Sequence, residues 1–231
     1  MRFAPSFAGR LAFCCLLVAA LTLSAAAHER VAFQTADSIT LRGYLWGNGR
    51  HAVVLSHMFG TDQSIWFQFA RKLEAEGFTV LTYDFRGVGK SDGELIIPRV
   101  DRDVVAAIKF VKGRRPRSIF LIGASMGGTA SLVAAAQQKV NGVVVMASGM
   151  RFEGLDAQPH LPNLKVPKLF IVGSGDAPFN ESAQVMYART PQPKQLLVFP
   201  TDAHGTNLLA TLHRSEIEQA ILGFLRKYAS D

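Results

Sequence analysis

Short runs of consecutive apolar residues alternate along this chain with longer stretches in which apolar positions recur every three or four residues. Leu41 to Trp46, Ala52 to Ser56 (AVVLS), Thr79 to Tyr83 and Ser118 to Ile122 (SIFLI) read as strands. So do Gly142 to Ala147, Lys168 to Gly173 and Gln195 to Phe199. Between them, Trp66 to Glu76 has helical spacing and stops at Gly77, and Arg99 to Val111 repeats apolar residues at 100, 104, 105, 108 and 111. Met126 to Gln138 is an Ala-rich helix, and Glu216 to Tyr228 places Ile217, Ala220, Ile221, Phe224 and Leu225 on one face. Strands alternating with helices in this rhythm predict an α/β fold, a mostly parallel central sheet with helices on both faces. Such sheets carry their chemistry in loops beyond the carboxyl ends of strands, here those after Ser56, Tyr83, Ile122, Ala147, Gly173 and Phe199.

The first 27 residues follow a different pattern. Arg2 and Arg10 form a positive start, Leu11 to Leu23 is an apolar run, and Ala25-Ala26-Ala27 supplies small residues before a cut at His28. This predicts a secretory signal peptide over 1–27 and a single domain over 28–231, secreted or periplasmic and without a stable membrane anchor after cleavage. Removing the leader takes two of the 25 Lys+Arg residues, so 23 cations face 18 Asp+Glu. The surplus is scattered except at Lys109, Lys112, Arg114, Arg115 and Arg117, which read as the solvated end of a helix or as a surface for an anionic partner. An exported chain without a basic-aromatic array is not expected to bind nucleic acid. Both cysteines, Cys14 and Cys15, lie in the leader, so the mature domain has neither disulfide, thiol nucleophile nor cysteine metal site. With 48% hydrophobic and 19% charged residues, the chain can build a core without such staples.

Gly123-Ala124-Ser125-Met126-Gly127-Gly128 joins the strand SIFLI to the Ala-rich helix, which is G-x-S-x-G in strand–turn–helix context. So sharp a turn brings residues on either side of the serine into contact, and Gly123 and Gly127 avoid the clash. Ser125 then projects above the sheet, and the Met126 N–H at the helix start is aimed where an oxyanion would form. A serine needs a base, and the base an orienting acid. His204, in TDAHG directly after the last strand, fits the base better than His28, His51, His160 or His213. Asp176, in GSGD after KLFIV, is the acid, and Asp202 is a rival set awkwardly two residues before the histidine. The second oxyanion donor is a backbone N–H of Met58 or Phe59 in Ser56-His57-Met58-Phe59-Gly60, with Phe59 the better candidate and His57 in a structural hydrogen-bonding part. Met58, Met150, Phe152 and Phe179 are the expected substrate-binding side chains, matching an apolar acyl or alcohol group.

These pieces together resemble the serine α/β-hydrolase superfamily over essentially the whole mature region. They are the elbow GASMGG, the loop SHMFG, the segment Asp84 to Gly93 (DFRGVGKSDG), the acid loop GSGD and the histidine loop DAHG. The resemblance implies an α/β-hydrolase fold and two-step acyl transfer with Ser125, His204 and Asp176, without metal or organic cofactor. It implies a small-molecule ester or other acyl substrate, and a structural turn for DFRGVGKSDG in which Arg86 bonds local carbonyls. Two departures stand out. Family members commonly have His-Gly where this chain has His57-Met58. Only Gly149 to Val166 separates two strands where relatives insert a helical cap, so the site should be open or thinly covered by Met150, Phe152 and Leu155. Carboxylester hydrolysis leads. Thioesterase, lipase-like, peptidase or perhydrolase activity on the same triad, and a non-catalytic binding protein of this fold, are the alternatives. The sequence carries no signal for oligomeric state.

Overall fold

The computed structural model of the chain describes Met1 and residues 28–230; the expected leader otherwise lies outside the described residues. Strands β1 (Glu29–Gln34), β2 (Thr40–Trp46), β3 (His51–Ser56) and β4 (Thr79–Tyr83) form one half of a sheet. Strands β5 (Ser118–Ala124), β6 (Gly142–Met146), β9 (Lys168–Gly173) and β10 (Lys194–Phe199) form the other. The order is β1-β2-β4-β3-β5-β6-β9-β10, and every pair from β4 to β10 is parallel, while β1 and β2 join antiparallel. Strands β3 to β6 and β9 are almost wholly buried, which is why their sequences are unbroken apolar runs rather than alternations.

Helices α2 (Val100–Gly113) and α3 (Met126–Gln137) cover one face. Helices α1 (Phe67–Ala75) and α5 (Arg214–Tyr228) cover the other, and α4 (Phe179–Arg189) flanks β9 and β10. Every residue of α3 from Met126 to Ala135 is buried, so small side chains let it lie close on the sheet. The segment expected to be too short for a cap forms a hairpin of two-residue strands, β7 (Arg151–Phe152) with β8 (Leu155–Asp156), followed by a 3-10 turn over Gln158–Asn163. Leu155, expected to cover the site, is instead buried in the α2–α3 core.

The DFRGVGKSDG segment is a structural turn whose bonds are on side chains as well as backbone. The Asp84 carboxylate accepts from the Gln63 N–H, the Gln63 side-chain amide and the Lys90 N–H, while the Ser91 hydroxyl donates to the Asp84 carbonyl. Arg86 does not bond local carbonyls as expected. Its guanidinium forks between two carboxylates, donating to Asp103 Oδ1 at 2.6 and 2.9 Å and to Asp37 at 2.9 and 3.2 Å. The distant Asp103, on α2, and Asp37, between β1 and β2, are not adjacent in sequence, so no local pattern announces them. Burial works against the Arg86 charge, yet the two carboxylates overcome it and hold its pKa above the ordinary arginine value. The same guanidinium, helped by Thr35, holds the Asp37 carboxyl well below the usual carboxylate range.

Two outcomes follow for this fork. Arg86→Met leaves Asp103 buried without its cation, and urea unfolding should show a loss of about 3–5 kcal/mol; a loss under about 1 kcal/mol, the scale of an exposed pair, would contradict the role given to it. Because the folded pKa of Asp37 lies below its unfolded value of about 3.9, the unfolded chain binds the extra proton as the solution turns acid. Its stabilisation is complete above that value and is lost as pH falls below it. The stability gap between wild type and Asp37→Asn should therefore narrow from about pH 6 to about pH 2.5. A gap independent of pH would contradict it.

Candidate active site

Strand β5 ends in the middle of the sheet, and the chain reverses into α3 within one residue. That residue, Ser125, has φ 50° and ψ −120°, a positive-φ conformation that residues other than glycine rarely adopt. Its N–H donates to the Met146 carbonyl on β6 at 2.9 Å, and its own carbonyl accepts from Gly128 and Thr129, so the turn is held from both sides. A Cβ on Gly123 would run into the Gly127 backbone, and one on Gly127 into the carbonyls of Ser56 and His57. The glycines therefore let the elbow close on itself and let the loop after β3 lie against it.

The acid and base loops are stitched to each other before they reach the serine. Ser174 N–H donates to the Phe199 carbonyl and Gly175 N–H to the Thr201 carbonyl, while Ala203 N–H donates to the Thr201 hydroxyl. His204 then lies with Nε2 2.9 Å from Ser125 Oγ and Nδ1 3.0 Å from Asp176 Oδ2. All three side chains singled out in the sequence are thus brought into one chain of hydrogen bonds. Asp202 is exposed and contributes only its charge. Burial raises the Asp176 carboxyl above its ordinary value, the His204 bond pulls it back, and the Asp202 charge adds to the rise. Ser125 is 7% exposed and the His204 side chain 31%, so the serine is shielded while the imidazole reaches solvent.

The loop after β3 carries free donors. Among the described residues, the Met58, Phe59 and Met126 N–H groups have no protein acceptor. The Met58 carbonyl accepts from His57 Nδ1 at 2.8 Å and from the Thr61 hydroxyl at 2.9 Å. A trans peptide directs the Phe59 N–H opposite to that carbonyl, so the two bonds set the direction of this amide. The Phe85 N–H donates to His57 Nε2, which places the imidazole proton on Nδ1. Burial lowers the His57 pKa and keeps the ring neutral.

Of the expected substrate-binding side chains, Phe179 lies with its ring centroid 4.1 Å from that of His204, and Phe152 lies 5.5 Å from Phe59, which is 52% exposed. Met150 is half-buried against the α2–α3 core, and its N–H donates to Ser182. Met58 carries its thioether to Thr206, accepting from the N–H at 3.3 Å and the hydroxyl at 3.5 Å. Thr61, Thr206 and Met146 are residues that the sequence reading did not single out; only their spatial neighbours betray them. Among the described residues no group of three or more His, Cys, Asp and Glu side chains is placed to hold a metal ion, and no helix is long and apolar enough to cross a membrane.

This geometry has relatives. The family described as serine aminopeptidase S33 matches residues 47–155, a span that holds Ser125 and the loop after β3 but ends before Asp176 and His204. A thiohydrolase of Arthrinium phaeospermum is 36% identical over 120 residues, 46% of this chain and 38% of its own length. The chain spans less than half the length of the first curated relatives it matches. Among solved structures, an esterase of Pyrococcus furiosus superposes with a TM-score of 0.79 at 20% identity, over 88% of this chain and 93% of that one. A dienelactone hydrolase of Anabaena variabilis superposes with a TM-score of 0.76 at 21% identity, over 88% and 99%.

Closeness at Gly127 makes one outcome specific. Gly127→Ala should push the elbow away from the loop after β3 and slow any Ser125-dependent reaction roughly a hundredfold, the scale of a 1 Å misplacement. Circular dichroism should show the sheet and helices retained. Wild-type reactivity in Gly127→Ala would contradict the packing described.

Proposed function

We propose that this chain is a serine α/β-hydrolase, exported, that cleaves carboxylic esters through an acyl-enzyme on Ser125. The match to the serine aminopeptidase S33 family over residues 47–155 and the fold shared with esterases support this reading. The observation that carries this reading is the continuous relay from Ser125 Oγ through His204 to Asp176, at 2.9 and 3.0 Å. Ser125 Oγ attacks the ester carbonyl carbon while His204 Nε2 takes its proton. Asp176 holds the Nδ1–H tautomer and stabilises the imidazolium. The Met126 and Phe59 N–H groups receive the oxyanion, each worth about 3–4 kcal/mol by the measure of other such donors. Collapse breaks the bond to the alcohol, which leaves with the proton from His204. Water, deprotonated by the same ring, then attacks the acyl-enzyme; the acid is released and Ser125 recovers its proton.

The cover over the site is thin, so the substrate meets an exposed aromatic lip, Phe59 beside Phe152, before it reaches the serine. This supports a small-molecule substrate with an apolar acyl or alcohol group. Export to the periplasm or the medium rests on the basic, apolar and small-residue pattern of 1–27, and the confinement of both cysteines to that stretch agrees with it. A second reading, hydrolysis of acyl thioesters by the same triad, is favoured by the match to a thiohydrolase.

Hydrolysis of p-nitrophenyl esters from acetate to palmitate, beside matched acyl thioesters, tests both. Wild type should hydrolyse the esters, Ser125→Ala should not, and Asp176→Asn should lose roughly 10⁴ in kcat with the fold unchanged. Faster turnover of thioesters would move the substrate class to the second reading. Equal rates for wild type and Ser125→Ala would overturn the mechanism.

A further inference from the structure

Residue 58 sits where the superfamily resemblance leads one to expect glycine, and the structure gives its side chain a specific place. Met58 Sδ occupies the space that a Cβ on Gly205 would need, and Gly205 itself has φ +58°. The residue after that glycine, Thr206, is buried and directs both its N–H and its hydroxyl at the sulfur, at 3.3 and 3.5 Å. Gly205 follows His204 directly, and Met58 precedes Phe59 directly. One thioether therefore joins the loop that carries the oxyanion donor to the loop that carries the base.

The backbone of the same residue is held independently. His57 Nδ1–H and the Thr61 hydroxyl grip its carbonyl, so the side chain projects from a peptide whose orientation is already set. A contact between two such anchored points fixes distance as well as direction. The His204 imidazole itself packs against Phe179, with ring centroids 4.1 Å apart. Sulfur is a weak acceptor on a polarisable, adaptable side chain, which suits it to receive two donors from one residue without demanding strict geometry.

From these contacts we propose that Met58 is a positioning residue: its thioether, held by Thr206, couples the His204 loop to the Phe59 amide so that proton transfer and oxyanion stabilisation are aligned in one transition state. The proposal rests on the hydrolase reading of Ser125, His204 and Asp176, and concerns how their alignment is kept, not which bond is cut. The Met58 thioether acts through Thr206 and not by contact with a reacting atom. Its effect is on kcat, because both groups it aligns act in the transition state.

Three single variants and one double variant test it, with rates measured per active serine by titration with a fluorophosphonate. Met58→Leu keeps the bulk over Gly205 and removes the acceptor, whereas Met58→Gln offers an oxygen at similar reach. Thr206→Val removes the hydroxyl. Met58→Leu should lower both kcat on the best ester and the labelling rate of Ser125 roughly tenfold, with KM within about twofold. Met58→Gln should recover most of the loss. Met58→Leu combined with Thr206→Val should be no slower than Met58→Leu alone, since the hydroxyl contact that Thr206→Val removes is one of the two that Met58→Leu removes. A Met58→Leu protein that matches wild type per labelled serine would overturn the proposal. So would equal slowing by Leu and Gln, or losses that multiply in the double variant. A wild-type protein whose serine does not label would instead overturn the hydrolase reading, and the proposal with it.

Discussion

The backbone at Ser125 is the constraint on which the rest of the site depends. A serine held at φ 50° survives only where its surroundings determine it more strongly than its own preference opposes it. Here β6 takes its N–H, α3 takes its carbonyl, and glycines at 123 and 127 remove the side chains that would force the turn open. The strain has a consequence in space: the hydroxyl is lifted off the end of the sheet, and the first turn of α3 is left with an amide that nothing else uses. Acid and base then have to be delivered to a point already defined.

Delivery is achieved by loops tied to one another more than to the serine. The acid loop after β9 and the histidine loop after β10 share backbone hydrogen bonds, and the loop after β3 is pressed on the elbow and bound to the histidine loop through sulfur. Below them the Arg86 fork joins the turn after β4 to α2 and to the connection between β1 and β2. The Ser125–His204–Asp176 relay thus stands on loops braced by contacts lying outside the relay itself. Such bracing holds side chains in place by packing and hydrogen bonds from their own supporting shell.

Much of this is legible in the chain because the buried strands are continuous apolar runs and the reactive residues follow them at once. Thr79–Tyr83 and Lys168–Gly173 coincide with their predicted bounds, and Ser125, Asp176 and His204 each stand in the loop after such a run. Elements that bury little are the ones that escape. The edge strand β1 alternates exposed and buried residues over only six positions, α4 buries only Ala183 and Met186, and the hairpin over 151–156 has two-residue strands. None leaves a strong periodic signal. Arg86 escapes for another reason. Its partners Asp37 and Asp103 lie 49 and 17 residues away, and a salt-bridge fork of that kind is a property of the tertiary fold. The Met58–Thr206 contact, across 148 residues, escapes in the same way.

The most direct measurement is the location of the activated nucleophile. Wild-type protein is treated with a fluorophosphonate at neutral pH, and its intact mass and proteolytic peptides are read by mass spectrometry. A single adduct on Ser125, lost in His204→Gln while the fold persists, is the outcome that the hydrogen-bonded relay predicts. No adduct, an adduct on a different serine, or labelling that is indifferent to His204 would contradict it.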